Sequence, residues 1–138
     1  MQPSEHIEEF LKKVQVGVLS TVDSRGRPHS IPMWCLYEDG EFVMSTGIGS
    51  QKHKNIQNNE NVMLVFDQRE TPYYAVMVRG IARVETAHNT ELIQHIARSY
   101  LGEEGANRYL SGRSYGTESA TIRVRPTRFI EYHGLSGR

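Results

Sequence analysis

The sequence predicts a mainly β fold, in which six antiparallel strands form a barrel with short helices at its periphery. Six segments show the alternation or the short apolar runs of strands, and most of them are joined by tight turns. The glycine fingerprint that a doubly wound dinucleotide-binding sheet carries between a strand and a long helix is absent. With 138 residues and 38% apolar composition, the chain is predicted to be one domain spanning residues 1–138.

The first predicted element is a short amphipathic helix that runs roughly from Ser4 to Lys13. Ser4 precedes the first apolar residue and can cap the helix with its hydroxyl group. The apolar residues recur at the spacing i, i+3, i+4 and i+7, which places them on one face: Ile7, Phe10, Leu11 and Val14.

Three strands are predicted to follow as a meander. Val14, Val16 and Val18 alternate along the first strand and are expected on one side of it. The stretch "DSRGR" supplies turn residues before the second strand. Asp39-Gly40 then lies between alternating apolar residues, which is among the strongest short-range signals for a hairpin.

Three more strands are predicted in the second half of the chain. "VMLVFDQ" is apolar almost throughout, which is typical of a strand covered on both faces. "ATIRVRPTRFIEYH" is the last strand, and it follows a helix over "NTELIQHIARSYLGEEG" that Gly102 is placed to end. Between them, "YYAVMVRGIARVE" predicts a strand with Arg79 and Arg83 facing solvent. Its other face is expected to be buried: Tyr74, Val76, Val78, Gly80, Ala82 and Val84.

Composition and charge exclude several classes of partner. Sixteen basic and sixteen acidic residues cancel, so the chain has no overall field of the kind that nucleic-acid or membrane-surface binding needs. The single cysteine, Cys35, lies among apolar strand residues and is interpreted as a small buried hydrophobe, which suits a reducing compartment. No signal-peptide pattern or membrane-span pattern occurs. We therefore expect a cytoplasmic protein that binds neither nucleic acid nor membranes.

The stretch "GIGSQKHKNIQ" raises the question of an anion site. Ser50 can cap a short helix over Lys52 to Asn58, and the helix dipole and Lys52 would both favour an anion at its start. A capping serine with solvated lysines explains the same residues. The spacing of a nucleoside-triphosphate P-loop is not met, so that class of site is not predicted.

Other candidate chemistry is sparse. His29 and His53 lack partners at metal-ligand spacing, so no metal site is predicted and a structural or surface role is favoured for both. No serine lies in a nucleophile elbow. Met33 and Trp34 are interpreted either as barrel core or as the wall of a site for a flat aromatic ligand, and Tyr73 and Tyr74 allow the same two interpretations.

The order of these segments resembles a known family. "GVLSTVDSRGRPHSIPMWCLYEDGEFVMST", "GSQKHKNIQNNENVMLVFD" and "PYYAVMVRGIARVE" follow one another at spacings similar to those of flavin/deazaflavin oxidoreductases with the split barrel of pyridoxamine phosphate oxidase, in particular the branch that uses coenzyme F420. The resemblance covers about residues 5 to 132. It implies a homodimer of six-stranded split barrels with two cofactor sites at the subunit interface.

The resemblance also implies which residues hold the cofactor. Ser50, Gln51 and Lys52 match the positions that bind its phosphate. Two further pairs match positions that line the tricyclic ring: Ser45 and Thr46, and Met33 and Trp34.

The implied function is hydride transfer between F420 and a small organic acceptor. FMN is the alternative cofactor, but FMN-binding relatives with pyridoxamine phosphate oxidase activity usually carry further basic residues on strand two, which here reads "HSIPMWCLY" without arginine. A non-enzymatic flavin- or haem-binding module of the same fold is a further alternative. No catalytic acid is assigned, because Tyr73, Tyr74, a histidine or water could each supply a proton.

Overall fold

The computed structural model describes residues 2–113 and 118–134. These residues form six strands and three helices in the order α1 (Glu5–Leu11), β1 (Gln15–Val22), β2 (Pro28–Glu38), β3 (Glu41–Gly47), α2 (Gln51–Asn58), β4 (Asn61–Gln68), β5 (Tyr74–Glu85), α3 (Thr90–Leu110) and β6 (Ser119–His133). The strands form a closed antiparallel barrel in the order β1-β2-β3-β6-β5-β4, with β4 paired to β1. The predicted six-stranded antiparallel barrel with peripheral helices is confirmed.

The two predicted hairpin turns form as expected. Asp39 and Gly40 have φ angles of +54° and +77°, the pair of positive values that a two-residue turn between twisted strands requires. In the β1–β2 turn, the carboxylate of Asp23 accepts the backbone N–H groups of Arg25 and Arg27, both at 2.9 Å. Both turns therefore set the strand register locally.

Helix α1 packs its apolar face into the core of the barrel. Ile7, Phe10 and Leu11 belong to the main core cluster, and the Ser4 hydroxyl accepts the N–H of Ile7 as predicted. The helix ends at Leu11, before the predicted end at Lys13. Val14 is consequently beyond the helix and 49% exposed, so its predicted place on the buried helical face is wrong.

The buried face of β1 is the opposite of the one predicted. Val16 is 48% exposed, whereas Gly17, Leu19 and Thr21 point inward. The inward face carries a glycine because a Cβ at Gly17 would meet the Phe66 ring at 2.5 Å. The alternating valines therefore predicted the wrong buried face, because glycine and threonine occupy inward positions of this strand and valines occupy outward ones.

Strands β4 and β5 alternate between buried and outward residues. In β4, Leu64 and Phe66 are buried, while Met63 and Val65 are half-buried on the outer face. Within the chain, only one face of β4 is thus buried, whereas its apolar run predicted that both faces would be covered. The predicted inner face of β5 is confirmed, and Arg79 and Arg83 are exposed.

Helix α3 consists of two helical segments that meet at a kink. The first segment ends at Gly102 as predicted, where φ is +75° and ψ is 173°, and a second segment that was not predicted continues to Leu110. The first part packs on the outside of β2 and β3 through a second apolar cluster that includes Leu36, Val43 and Ile96. Among the described residues, no helix is long and apolar enough to span a membrane.

The barrel is split between β2 and β3. Strand β2 pairs with β1 over Pro28–Cys35 and with β3 only over Leu36–Glu38. Beyond Val43, β3 pairs with β6 on its other side and has no paired residue in β2. The first part of β2 and the second part of β3 therefore diverge and leave a gap in the barrel wall.

Candidate functional site

A cavity of about 590 Å³ lies in this gap. It is called the split cavity here, and its lining comes from β2, β3, α3 and the residues on either side of the α3–β6 connection: Pro32, Met33, Trp34, Ser45, Thr46, Gly47, Ile93, Ile96, Tyr109, Leu110, Arg113 and Ser119. Its volume is within the range of about 300 to 1,000 Å³ that is usual for small-molecule sites. All four residues expected to line a tricyclic ring border this one cavity.

Met33 and Trp34 border the cavity from different layers of the molecule. Met33 packs against the barrel core, whereas Trp34 lies outside the barrel under α3. The Trp34 indole stacks on the Tyr100 ring, with centroids 5.0 Å apart and planes at 14°. The barrel-core interpretation thus holds for Met33 but not for Trp34, and both residues border the split cavity.

Tyr100 fixes α3 to the strands that carry this wall. Its hydroxyl oxygen accepts the N–H of Cys35 at 2.7 Å, and its hydroxyl group is in donor distance of the carbonyl oxygens of Cys35 (2.8 Å) and Gln15. Burial is the main cause that raises the pKa of Tyr100. Cys35 is buried as predicted, and burial raises the pKa of its thiol to about 12.

The Ser45 hydroxyl is oriented by Asn89, a residue that the sequence did not single out. The Asn89 side-chain amide donates to Ser45 Oγ at 3.3 Å and to Thr121 Oγ1 at 3.1 Å. Because Ser45 Oγ accepts this bond, its own hydrogen is left to donate, and it has no acceptor among the described residues. Ser45 therefore brings a hydrogen-bond donor to the edge of the cavity.

The cavity is joined to the start of α2 through a hydroxyl pair. Thr46 Oγ1, on the cavity lining, is 3.0 Å from Ser50 Oγ, which also caps α2 by accepting the N–H of His53. The turn before the helix needs a glycine, because Gly49 has a φ of +83°. The predicted cap is confirmed, and it lies directly beside the split cavity.

His53 stabilises this turn rather than facing solvent. Its Nδ1 accepts the N–H of Gly49 at 2.9 Å, so the ring proton is on Nε2. The side chain is 6% exposed. This contact fits the structural role that the sequence favoured for His53.

The first turn of α2 carries donors without acceptors. Within the described ranges, the backbone N–H groups of Gln51 and Lys52 have no hydrogen-bond partner, as expected at a helix start. The Lys52 ammonium group is half-buried and has no carboxylate within ion-pair distance in the same ranges. Burial lowers its pKa. An anion bound here would compensate both the free N–H groups and the partly desolvated charge.

The Gln51 side chain takes part in a network that anchors α2 to β1. Gln51 Nε2 donates to Asn55 Oδ1 at 2.7 Å, and Asn55 Nδ2 donates to Thr21 Oγ1 at 2.9 Å. Asn55 is 1% exposed. Gln51 therefore has its backbone N–H, rather than a free side chain, at the start of the helix.

Tyr73 and Tyr74 lie away from the split cavity. They border a second cavity of about 280 Å³ beside α1, together with residues such as His6 and Phe10. Tyr74 donates to a Glu131 carboxylate oxygen at 2.6 Å, and burial with this carboxylate raises the Tyr74 pKa well above its usual range. Neither tyrosine lines the split cavity of its own chain.

Sequence reasoning missed the contribution of the second part of α3. Tyr109 and Arg113 line the split cavity, and the Arg113 guanidinium lies 4.3 Å from the centroid of the Tyr109 ring. The expected helix end at Gly102 removed this segment from consideration. A weak signal was present, since Tyr109 and Arg113 lie close together in the sequence beyond Gly102, but Arg113 follows the helix end at Leu110 and shares no helical face with Tyr109.

Residues 3–132 match the family model described as pyridoxamine 5'-phosphate oxidase. The chain belongs to this family. The resemblance inferred from the order of its segments is confirmed.

Several solved structures share the fold of this pyridoxamine 5'-phosphate oxidase family member. An F420 reductase is 22% identical, with a TM-score of 0.79 over 94% of this chain and 98% of the other. General stress protein 26 from Bacillus anthracis str. Sterne is 24% identical, with a TM-score of 0.70 over 92% and 91%. A FAD-binding protein from Mesorhizobium loti is 15% identical, with a TM-score of 0.69 over 94% of both chains. No curated protein matches significantly.

These matches agree at the level of fold. The chain has the split barrel of flavin- and F420-type oxidoreductases. A flavin-type cofactor is compatible with this barrel.

Proposed function

We propose that this protein is an oxidoreductase that transfers a hydride between coenzyme F420, bound at a homodimer interface, and a small organic acceptor. FMN is the alternative cofactor. The observation that carries the proposal is the contact between Thr46 and Ser50, because it joins the lining of the split cavity to the first turn of α2. F420 and FMN both combine a tricyclic ring with a phosphate-bearing tail, and the two neighbouring features suit these two parts.

The residues present fit the phosphate of such a cofactor. The free N–H groups of Gln51 and Lys52 and the unpaired Lys52 ammonium group would hold it, in keeping with the family positions at Ser50, Gln51 and Lys52. Ser50 would act by fixing the helix start, since its Oγ already accepts the His53 N–H and contacts Thr46.

The split cavity fits the ring. Met33 and Trp34 supply apolar surface on one wall, and Ser45 and Thr46 supply hydroxyl groups on the other. When bound, the deazaflavin supplies a hydride from C5 of its ring. The protein would then have to orient the acceptor over the ring and exclude water, for which the apolar lining is suited, and the Ser45 hydroxyl would be placed to donate a hydrogen bond to the cofactor.

A row of apolar residues on the outer surface supports the homodimer. Adjacent strands place these residues side by side through the registers of β2, β1, β4, β5 and β6, and the row is Pro32, Val18, Val65, Met77 and Ile130. Four of them are half-buried and Pro32 is exposed. The outer face of an antiparallel barrel in water is usually polar, so this apolar row suits contact with a second copy.

The cofactor proposal is tested by titrating the purified protein with F420 and with FMN. Trp34 is the only tryptophan in the sequence and borders the split cavity, so its emission should fall as a ring enters. We expect saturable quenching by F420 at lower concentration than by FMN. Tighter binding of FMN would select the alternative, and binding of neither would overturn the proposal.

A substitution at Lys52 tests the anion site. Lys52→Ala should weaken cofactor binding by about 1.5 to 3 kcal/mol, roughly 10- to 150-fold in Kd, because a charged hydrogen bond to phosphate is lost. Lys54→Ala is the matched control, since Lys54 is exposed on the same helix and should change Kd little. Equal effects of the two substitutions would indicate a general field effect rather than a contact with Lys52.

A further inference from the structure

The split cavity holds a single charged side chain among the residues that line it. Arg113 lies just beyond the end of α3, and the remaining lining residues are apolar, hydroxyl-bearing or glycine. Arg113 is exposed, and its guanidinium is the positive charge that an anionic group of a ligand in this cavity would meet. The role proposed above for the start of α2 does not involve this residue.

The Arg113 guanidinium packs against an aromatic ring. Its Cζ lies 4.3 Å from the centroid of the Tyr109 ring, which is a cation–π contact. Arg83 and Arg123, by contrast, bind Glu41 and Glu85. Within residues 2–113 and 118–134, no carboxylate is within ion-pair distance of Arg113. The N–H donors of the guanidinium are therefore not engaged by a carboxylate of these residues and can bind a ligand.

The neighbouring surfaces are aromatic. The Tyr109 ring contacts Trp34 at a centroid distance of 5.2 Å, and both side chains line the split cavity. Flat conjugated molecules pack well against such rings, while a guanidinium binds a carboxylate through two parallel hydrogen bonds. The aromatic rings of Tyr109 and Trp34 and the guanidinium of Arg113 therefore lie beside one another in the split cavity.

We propose that the split cavity binds a planar conjugated carboxylate, whose anionic group pairs with Arg113 and whose carbon skeleton packs against Tyr109 and Trp34. The binding preference stands on this geometry alone. The identification of this carboxylate as the hydride acceptor rests on the function proposed above.

The test uses two probes that differ in charge, trans-cinnamate and cinnamamide. Each is titrated into the protein without cofactor while Trp34 emission is followed, with calorimetry as a second readout. We expect cinnamate to bind about tenfold more tightly than cinnamamide, as a charge-assisted bidentate pair provides. Arg113→Gln should remove this preference by weakening cinnamate only, and Arg113→Lys should keep part of it.

Arg108→Gln is the matched control. Arg108 lies on the same helix, pairs with Glu104 at 3.2 Å and does not line the split cavity, so its substitution should leave the preference intact. Equal binding of the two probes by the unsubstituted protein would overturn the proposal, and so would an unchanged preference in Arg113→Gln.

A titration with F420 distinguishes the two molecules whose anionic group Arg113 could bind, an acceptor and the cofactor. If Arg113 binds the carboxylate of an acceptor, Arg113→Gln leaves the Kd of F420 unchanged. A weakened F420 complex combined with an unchanged probe preference would assign Arg113 to the cofactor tail and would overturn the proposal. Failure of F420 and FMN to bind at all would reject the proposed function while leaving the cinnamate result to be judged separately.

Discussion

Tyr100 shows how one side chain joins a helix to the cavity wall. Its hydroxyl group satisfies the N–H of Cys35 and is close to two carbonyl oxygens, while its ring stacks on Trp34. A buried backbone N–H that loses its partner costs free energy, because water cannot replace the bond. The hydroxyl group therefore stabilises the fold independently of the ring.

Removal of this hydroxyl group should be measurable in the free energy of unfolding. We expect Tyr100→Phe to lower it by about 1 to 3 kcal/mol, since the Cys35 N–H is left without an acceptor and the ring packing is kept. Urea titration followed by circular dichroism gives the value.

Tyr109→Phe is the matched control for Tyr100→Phe. Tyr109 also packs against Trp34, but its hydroxyl group has no hydrogen bond to the described residues and its side chain is 40% exposed. We expect a change within about 0.5 kcal/mol. A loss as large as that of Tyr100→Phe would show that the destabilisation does not come from the hydrogen bond to the Cys35 N–H, because Tyr109 makes no such bond.

Single residues differ in how far the sequence predicts them. The Ser50 cap follows from local spacing, and the resemblance named Met33, Trp34, Ser45 and Thr46, which the fold brings to one cavity. Asn89 was not predicted, because its contact with Ser45 joins residues far apart in the chain. The periodicity of apolar residues predicts only contacts between residues close in the sequence, so a contact such as this one can be identified only from the three-dimensional structure.

The pairing of β5 with β6 requires a close approach of the two backbones at Gly80. The register shifts between Arg79 and Gly80, and a Cβ at Gly80 would collide with the Val124 side chain and lie 3.0 Å from the Arg125 carbonyl oxygen. A backbone oxygen in a paired strand has little room to move. Glycine at this position therefore lets β6 stay paired past the bulge.

Gly80→Ala should destabilise the barrel by about 1 to 3 kcal/mol through overpacking. Thermal unfolding followed by circular dichroism measures the loss. Gly47→Ala is the control, because Gly47 is exposed, has no strained φ and has nothing within 4 Å of an added Cβ. A Gly80→Ala protein as stable as the Gly47→Ala protein would show that the bulge relaxes without cost.

The predicted elements were correct in kind and less accurate in detail. All six strands and three helices were expected, because alternation and turn residues are local properties. The inward face of β1 was wrong, since Gly17 faces Phe66 while valines face outward. The predicted helix end at Gly102 was correct, since its backbone angles are not helical, but the second helical segment beyond it was not expected. The error in β1 comes from a glycine whose role depends on packing against a residue distant in the chain.

The apolar row on the barrel surface makes the assembly testable. Val65 is in the middle of the row, so Val65→Lys should convert a homodimer into monomers by burying an unpaired charge at the contact. Light scattering after size exclusion at micromolar concentration gives the mass, and circular dichroism checks the fold. A monomeric unsubstituted protein would contradict the homodimer.

Ser24→Lys is the control for the assembly experiment. Ser24 is exposed in the β1–β2 turn, away from the row, and should leave the mass unchanged. Dissociation of both variants would point to net charge, rather than to the apolar row, as the cause.

Strand β6 has a consequence for the order in which the barrel is made. It lies between β3 and β5, although it follows every other strand in the chain. Until it is synthesised, the growing polypeptide can form only an open five-strand sheet with β3 and β5 as bare edges. Unpaired edges attract other extended chains, so we expect the nascent chain to need chaperone protection until β6 emerges from the ribosome and fills the gap.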